Sequence, residues 1–191
     1  MTNSIPLSVS DLGAVVAEIH RQTDEVRELV GGLSLDALNW RPSEAKWSVG
    51  GHVAHMVIIN PPYLSALDEA LTAARARGRL SDGPYRHGWL GPWFARSMEP
   101  PPKRRWKTAP RLVPDPSVDG DVANSFARYQ DELAELVEAG RGVDLGGTRI
   151  SSPFMKLLRF SVGAAYGVLL GHNRRHIWLM REVMDAEGFP S

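Results

Sequence analysis

The sequence contains no cysteine among its 191 residues. Disulfide bonds, thiolate metal ligands, iron–sulfur clusters and a cysteine nucleophile are therefore all excluded. Any metal ion would have to be held by histidine, by carboxylates or by other nitrogen and oxygen donors.

The chain also lacks a net charge and a long hydrophobic run. Lysine plus arginine and aspartate plus glutamate both number 22, so the formal net charge is zero and we expect no nucleic-acid partner. No stretch approaches the roughly 18 consecutive apolar residues of a membrane span. Residues 1–12 have no basic residue ahead of their apolar ones. We therefore expect no membrane association, no secretory signal and a cytoplasmic location.

Apolar residues recur every three or four positions in four segments of the chain, which is the period of an amphipathic helix. This pattern predicts helices at about residues 10–30, 48–77, 118–139 and 154–186. We see no alternating strand pattern. The predicted fold is all-α: a four-helix bundle in which residues 1–191 form a single domain, with a long crossover connection between the second and third helices.

Serine and proline mark the expected helix ends and interruptions. Ser10 and Ser48 are predicted N-caps of the first and second helices, and Ser34 is predicted to cap a short helical turn between them. Two consecutive prolines, Pro61 and Pro62, predict a kink in the second helix or a restart capped by Asn60.

An insertion at about residues 79–117 is rich in proline and tryptophan. It holds eight of the 14 prolines and three of the six tryptophans, Trp89, Trp93 and Trp106, and we predict no lasting helix or strand there. A connection of this length is usually a crossover, a lid or a binding loop. Its basic stretch, residues 103–107, is interpreted as a solvated loop, with a lid over an anionic substrate and a nucleic-acid patch as alternatives.

The histidines give the main functional signal. His172 and His176 are four residues apart in the last predicted helix, so they lie on one face of it. They continue the apolar stripe of that helix, so both imidazoles are expected to point into the bundle. Two histidines at this spacing can hold one divalent metal ion.

A third ligand is expected because catalytic metal sites usually have three protein ligands and one open position. His52 and His55 in the second helix are both candidates on spacing alone. The remaining two histidines, His20 and His87, are expected to be ordinary surface or loop residues.

The sequence resembles the DinB-like family, small helical-bundle proteins regarded as metalloenzymes. The resemblance rests on the following segments, in this order: Leu38-Asn39-Trp40-Arg41-Pro42, Lys46-Trp47-Ser48-Val49-Gly50, Ala54-His55, Gly171-His172 and Arg175-His176. It implies a metal site made by His55, His172 and His176. His52 has no ligand counterpart in the family pattern, so we expect it to be a cap-proximal or a partly exposed residue. Trp40 and Trp47 are interpreted as packing residues, with a role in shaping the pocket as the alternative.

The resemblance also implies a chemistry. Characterised family members include thiol S-transferases that use bacillithiol and mycothiol-dependent isomerases. It thus implies an enzyme with a divalent metal (zinc, nickel or iron), a low-molecular-weight thiol cofactor, a small-molecule substrate and a homodimeric state. No catalytic residue beyond the ligands is assigned. The alternative is a non-catalytic stress-response or binding module on the same bundle.

Overall fold

The computed structural model describes residues 11–102, 107–155 and 157–190, and these are mostly helical. The elements, in chain order, are the helices α1 (Leu12–Val30), α2 (Leu35–Asn39), α3 (Val49–Ala76) and α4 (Leu90–Met98), a 3₁₀ turn (Pro110–Leu112), the helix α5 (Val122–Ala139), the strands β1 (Arg149–Ser151) and β2 (Arg159–Ser161), and the helix α6 (Val162–Met184). The predicted helical class is confirmed, whereas the prediction that no strand forms is wrong.

The four long helices pack against one another. Helices α1 and α3 each contact both α5 and α6, and the short helix α4 packs against α6 from outside this set. No helix among the residues that the structure describes combines the length and the hydrophobicity needed to cross a lipid bilayer.

Side-chain caps begin the helices around the histidine-bearing segment as predicted. The Ser34 hydroxyl accepts from the Ala37 N–H, and the Ser48 hydroxyl accepts from the Gly51 N–H at 2.9 Å. At α1 the cap is Asp11, which accepts from the Ala14 N–H. The predicted cap Ser10 lies outside the described residues.

Helix α3 runs unbroken through its two prolines, so the predicted restart at Asn60 is wrong. Pro61 and Pro62 remove the N–H groups that would bond the carbonyls of Val57 and Ile58. All four residues are partly exposed. The lost hydrogen bonds therefore fall on a side of the helix that solvent can reach, where they cost least.

Helix α5 begins four residues later than predicted because Val118 is held in another conformation. The Asn39 side chain accepts from the Val118 N–H at 2.7 Å and donates to the Val118 carbonyl at 2.9 Å. Both backbone groups of Val118 are thus bonded outside a helix, and α5 starts only at Val122.

Helix α6 also begins later than predicted, because a β-hairpin occupies residues 149–161. Strands β1 and β2 are antiparallel, with Ile150 opposite Phe160. Leu157 and Phe160 both fitted the apolar period of the predicted helix, but in the hairpin Leu157 is fully exposed whereas Phe160 is fully buried. The Ser161 hydroxyl then caps α6 by accepting from the Ala164 N–H.

The proline-rich insertion contains a helix, contrary to prediction. Helix α4 buries Phe94, Ala95 and Met98, whereas Trp89 and Trp93 are exposed. The spacing of apolar residues did not indicate this helix, because prolines both precede and follow it. The basic residues Lys103-Arg104-Arg105 and Trp106 lie outside the described part of the chain.

Candidate metal centre

The histidines lie where two apolar clusters meet. Along α3, His55 is next to Met56 of one cluster and one helical turn before Ile59 of the other. Along α6, His172 and His176 lie between Val168 and Ile177, which belong to the two different clusters. Because α3 and α6 pack against each other, this boundary brings the imidazoles together in an apolar environment.

His55, His172 and His176 form one compact group. One ring nitrogen from each lies within 4.8 Å of the others. The ring centroids are 4.5 Å apart for the pair on α6, and 4.7 and 5.2 Å from that of His55. His55 and His176 are buried and His172 is partly exposed. The structure therefore brings together the three residues that the family resemblance implies as ligands.

A backbone carbonyl from the insertion orients His55. Its Nδ1 lies 2.7 Å from the carbonyl oxygen of Leu112, in the 3₁₀ turn. Since a carbonyl only accepts, Nδ1 carries the hydrogen and Nε2 keeps its lone pair. That lone pair is what a metal ion would bind, so the contact fixes the tautomer a ligand requires.

His52 lies against the group without belonging to it. Its Nδ1 is 3.1 Å from Nδ1 of His176. Of the two alternatives expected for it, His52 is cap-proximal, since its N–H bonds the carbonyl of the cap Ser48, but it is buried and not partly exposed. If His176 donates through Nδ1, its Nε2 is left with a free lone pair. His52 is then the acceptor that holds this tautomer.

The donor set fits a divalent metal ion. Nδ1 of His172 is buried and has no hydrogen-bond partner among the residues that the structure describes. A buried polar atom without a partner is costly, and a bound cation satisfies such a nitrogen. Three neutral imidazoles suit zinc, nickel or iron.

Burial keeps these imidazoles uncharged. Burial lowers the pKa of His172 to about 3, aided by His55 and Arg175. Burial likewise lowers the pKa of His176, with repulsion from the neighbouring histidines as a further cause. Burial also lowers the pKa of His55, and this effect is larger than the opposite effect of the hydrogen bond to the Leu112 carbonyl, which raises it. Neutral imidazole is the form that ligates metal.

Trp47, for which packing was preferred over shaping the pocket, borders the site. Its ring centroid lies 4.9 Å from that of His55, 5.4 Å from His52 and 6.1 Å from His176. The residue directly precedes the Ser48 cap, so the start of α3 brings it over the imidazoles. Its position in the motif before α3 was the available signal, whereas nothing in the sequence indicated Leu112.

The other polar residues considered from sequence lie elsewhere. His20 is exposed as expected, but His87 is buried and its Nδ1 lies 3.0 Å from the Ser161 hydroxyl. Asn173 donates to Gln130 of α5 and not to an imidazole. Arg174 pairs with the carboxylates of Glu18 and Glu99.

Comparison with known proteins gives one family. The family model of the DinB superfamily matches residues 18–180, a range that includes the three clustered histidines and the insertion. No curated protein and no solved structure matches the chain. Since the match spans most of the sequence, the chain belongs to the DinB superfamily.

Proposed function

We propose that this protein binds one divalent metal ion, zinc, nickel or iron, through His55, His172 and His176. The observation that carries the proposal is the approach of three ring nitrogens to within 4.8 Å of one another in an apolar environment. Three protein nitrogens and one open position make up the donor set of many catalytic metal sites.

The residues around the group prepare it for this role. Leu112 holds the His55 tautomer, His52 is placed to hold that of His176, and Trp47 covers three of the rings. A bound cation supplies Lewis acidity at the open position and favours a thiolate over a thiol. Because the chain has no cysteine, the thiol has to come from a small molecule.

We further propose that the protein is an enzyme, in which a low-molecular-weight thiol reacts with a small-molecule substrate by S-transfer or a related isomerisation. Membership of the superfamily and the neutral imidazoles support this. In the same proposal the four long helices act as one bundle and one domain. The homodimer and the cytoplasmic location stay predictions.

Metal titration tests the proposal on protein purified without a nickel column. We expect about one zinc ion per chain, and His55→Ala, His172→Ala and His176→Ala each to weaken binding by more than the roughly 10–100-fold typical of outer-shell partners. His20→Ala is the matched control, since His20 is an exposed helical histidine. Metal content unchanged by His172→Ala would contradict the proposal.

A non-catalytic binding module is the second candidate. Trp89 is 77% exposed and Trp93 49% exposed on the insertion helix, and exposed aromatic residues are enriched in protein interfaces. Tight metal binding with no thiol binding and no turnover would favour this candidate. A partner lost on Trp89→Ala would support it further.

A further inference from the structure

A small cavity adjoins the proposed metal group on the side of His172. Its volume is about 110 Å³. It is enclosed by side chains of α3, α4, α6 and the hairpin loop, among them Tyr63, Phe94, Met98, Ser152, Val168 and His172. A ligand in this cavity would therefore touch an imidazole that belongs to the metal group.

The cavity wall carries no aspartate, glutamate, lysine or arginine among its lining residues. An ion moved from water into such surroundings would lose its hydration without gaining a counter-charge. The apolar wall, by contrast, favours a hydrocarbon group, because each buried methylene contributes about 0.8 kcal/mol. The chemistry of the wall thus selects an uncharged ligand.

The two hydroxyl groups among the lining residues do not face the cavity, whose accessible wall is apolar. Ser152 Oγ accepts from the backbone N–H groups of Phe154 and Met155, at 3.4 and 3.3 Å. The hydroxyl oxygens of Tyr63 and Ser152 lie 3.3 Å apart and are hydrogen-bonded to each other. Both hydroxyls are therefore engaged within the protein, and the cavity offers a ligand hydrocarbon surface.

The volume limits the size of the occupant. An apolar cavity of about 150 Å³ holds one benzene molecule in a well-studied case. A cavity of about 110 Å³ has room for a slightly smaller group, such as a five-membered ring or a short branched alkyl chain.

We propose that this cavity is the substrate-selecting pocket of the metal site and takes an uncharged apolar group about the size of a small ring. This proposal rests on the proposed function, because it assigns the cavity to the proposed metal site. Part of the wall, Phe94 and Met98, comes from helix α4. The insertion thus supplies the selectivity, whereas α3 and α6 supply the ligands.

Three probes with the same five-membered ring test the pocket on the full-length protein, followed by amide and methyl NMR shifts. We expect cyclopentane to shift resonances of the lining residues, cyclopentanone to bind more weakly because its carbonyl loses water without gaining a partner, and cyclopentylammonium not to bind there. Absence of lining-residue shifts with both neutral probes, or equal binding of the cation, would overturn the proposal.

Two variants and a control sharpen the test. Val168→Phe fills the cavity and should abolish binding of both neutral probes. Val168→Leu fills part of the cavity and should weaken binding of both, which keeps the test valid if the larger phenylalanine prevents folding. Trp93→Ala, on the exposed side of α4, should change nothing. Unchanged binding of cyclopentane in the folded Val168 variants would mean that the probe lies elsewhere and would overturn the proposal.

The failures of the two proposals can be told apart. If zinc binds through the histidines but no neutral probe enters the cavity, only the pocket is disproved. If cyclopentane enters the cavity but His172→Ala leaves the metal content unchanged, the metal site is disproved and the cavity is a binding pocket without it.

Discussion

His52 and His176 face each other through the same ring atom, with their Nδ1 nitrogens 3.1 Å apart. Only one of the two can carry the hydrogen between them when both are neutral. A metal ion on Nε2 of His176 requires that hydrogen to belong to His176. His52, which the family pattern leaves unassigned, is thereby placed as a positioning residue.

Replacement of His52 should therefore weaken metal binding without removing it. We expect His52→Ala to lower zinc affinity about 10–100-fold, the usual effect of losing such a partner. His52→Asn should recover part of the loss, because its amide oxygen can take the place of Nδ1 as acceptor. Competition with a chelator measures the affinity, and equal affinities for the wild type and His52→Ala would refute the assignment.

The metal-free protein should lose stability in acid because of its buried histidines. An unfolded imidazole has a pKa near 6.5, whereas that of His172 in the folded protein is about 3. Between these values the unfolded chain binds more protons, so the free energy of unfolding falls as the pH decreases and is fully restored above about 6.5. One such group contributes up to about 1.4 kcal/mol per pH unit.

Urea denaturation in the presence of a chelator, at several pH values from 4.5 to 7.5, measures this effect. His172→Gln removes one of the titrating groups, so its stability should fall less steeply with acid than that of the wild type. Parallel pH profiles for the two proteins would show that His172 protonates as easily in the folded state as in the unfolded one.

Arg174 should be important for stability because it joins three helices. It donates to Glu18 of α1 at 2.6 Å and to Glu99, the C-cap of α4, at 2.9 Å. Glu18 is buried, and although burial raises its pKa, hydrogen bonds from Arg21 and Arg174 hold the pKa below its ordinary value.

We expect Arg174→Met to destabilise the protein by about 2 kcal/mol, below the 3–5 kcal/mol typical of a buried charge left alone, because Glu18 keeps Arg21. Arg128→Met is the control: Arg128 pairs with Asp121 at 3.6 Å on the surface, where a pair contributes about 0–1 kcal/mol. Equal losses in the two variants, measured by urea denaturation, would show that the buried network adds nothing.

The contact of α4 with α6 depends on a glycine. A Cβ atom at Gly91 would lie 2.5 Å from Cβ of Ala164 and 3.1 Å from that of Phe160. Gly91→Ala should destabilise the protein by about 1 kcal/mol or more, although alanine is the better helix former.

Gly32→Ala is the matched control, since nothing lies within 4 Å of its added Cβ; a change within about 0.5 kcal/mol is expected there. Thermal unfolding of both variants measures the difference. Wild-type stability in Gly91→Ala would mean that the two helices can separate without cost.

Much of the fold and of the candidate site could be predicted because both depend on helical periodicity. The positions of His172 and His176 in an apolar stripe placed them inside, and Ser34 and Ser48 marked true helix starts. Periodicity describes only what a helix repeats along itself. It could not show that Asn39 would bind the backbone of Val118 across 79 residues and so shorten α5.

The same limit explains the misjudged side chains. Leu112 orients His55 through a backbone carbonyl, which has no sequence signature. His52 has no counterpart in the family pattern and His87 was expected to be an ordinary surface or loop residue, yet each is buried against one partner, His176 and Ser161 respectively. Contacts of this kind depend on how distant elements pack and not on local pattern.

Because α4 docks on α6, different parts of the chain build the proposed metal site and the cavity beside it. The ring nitrogens that would hold a metal ion come from α3 and α6, where the spacing of the histidines is fixed by their role as ligands, whereas one wall of the cavity is built by α4. Exchange of side chains at Phe94 or Met98 could thus retune which compounds are accepted while the imidazoles stay untouched. A library confined to α4 is the natural starting point for redirecting such a protein toward new compounds.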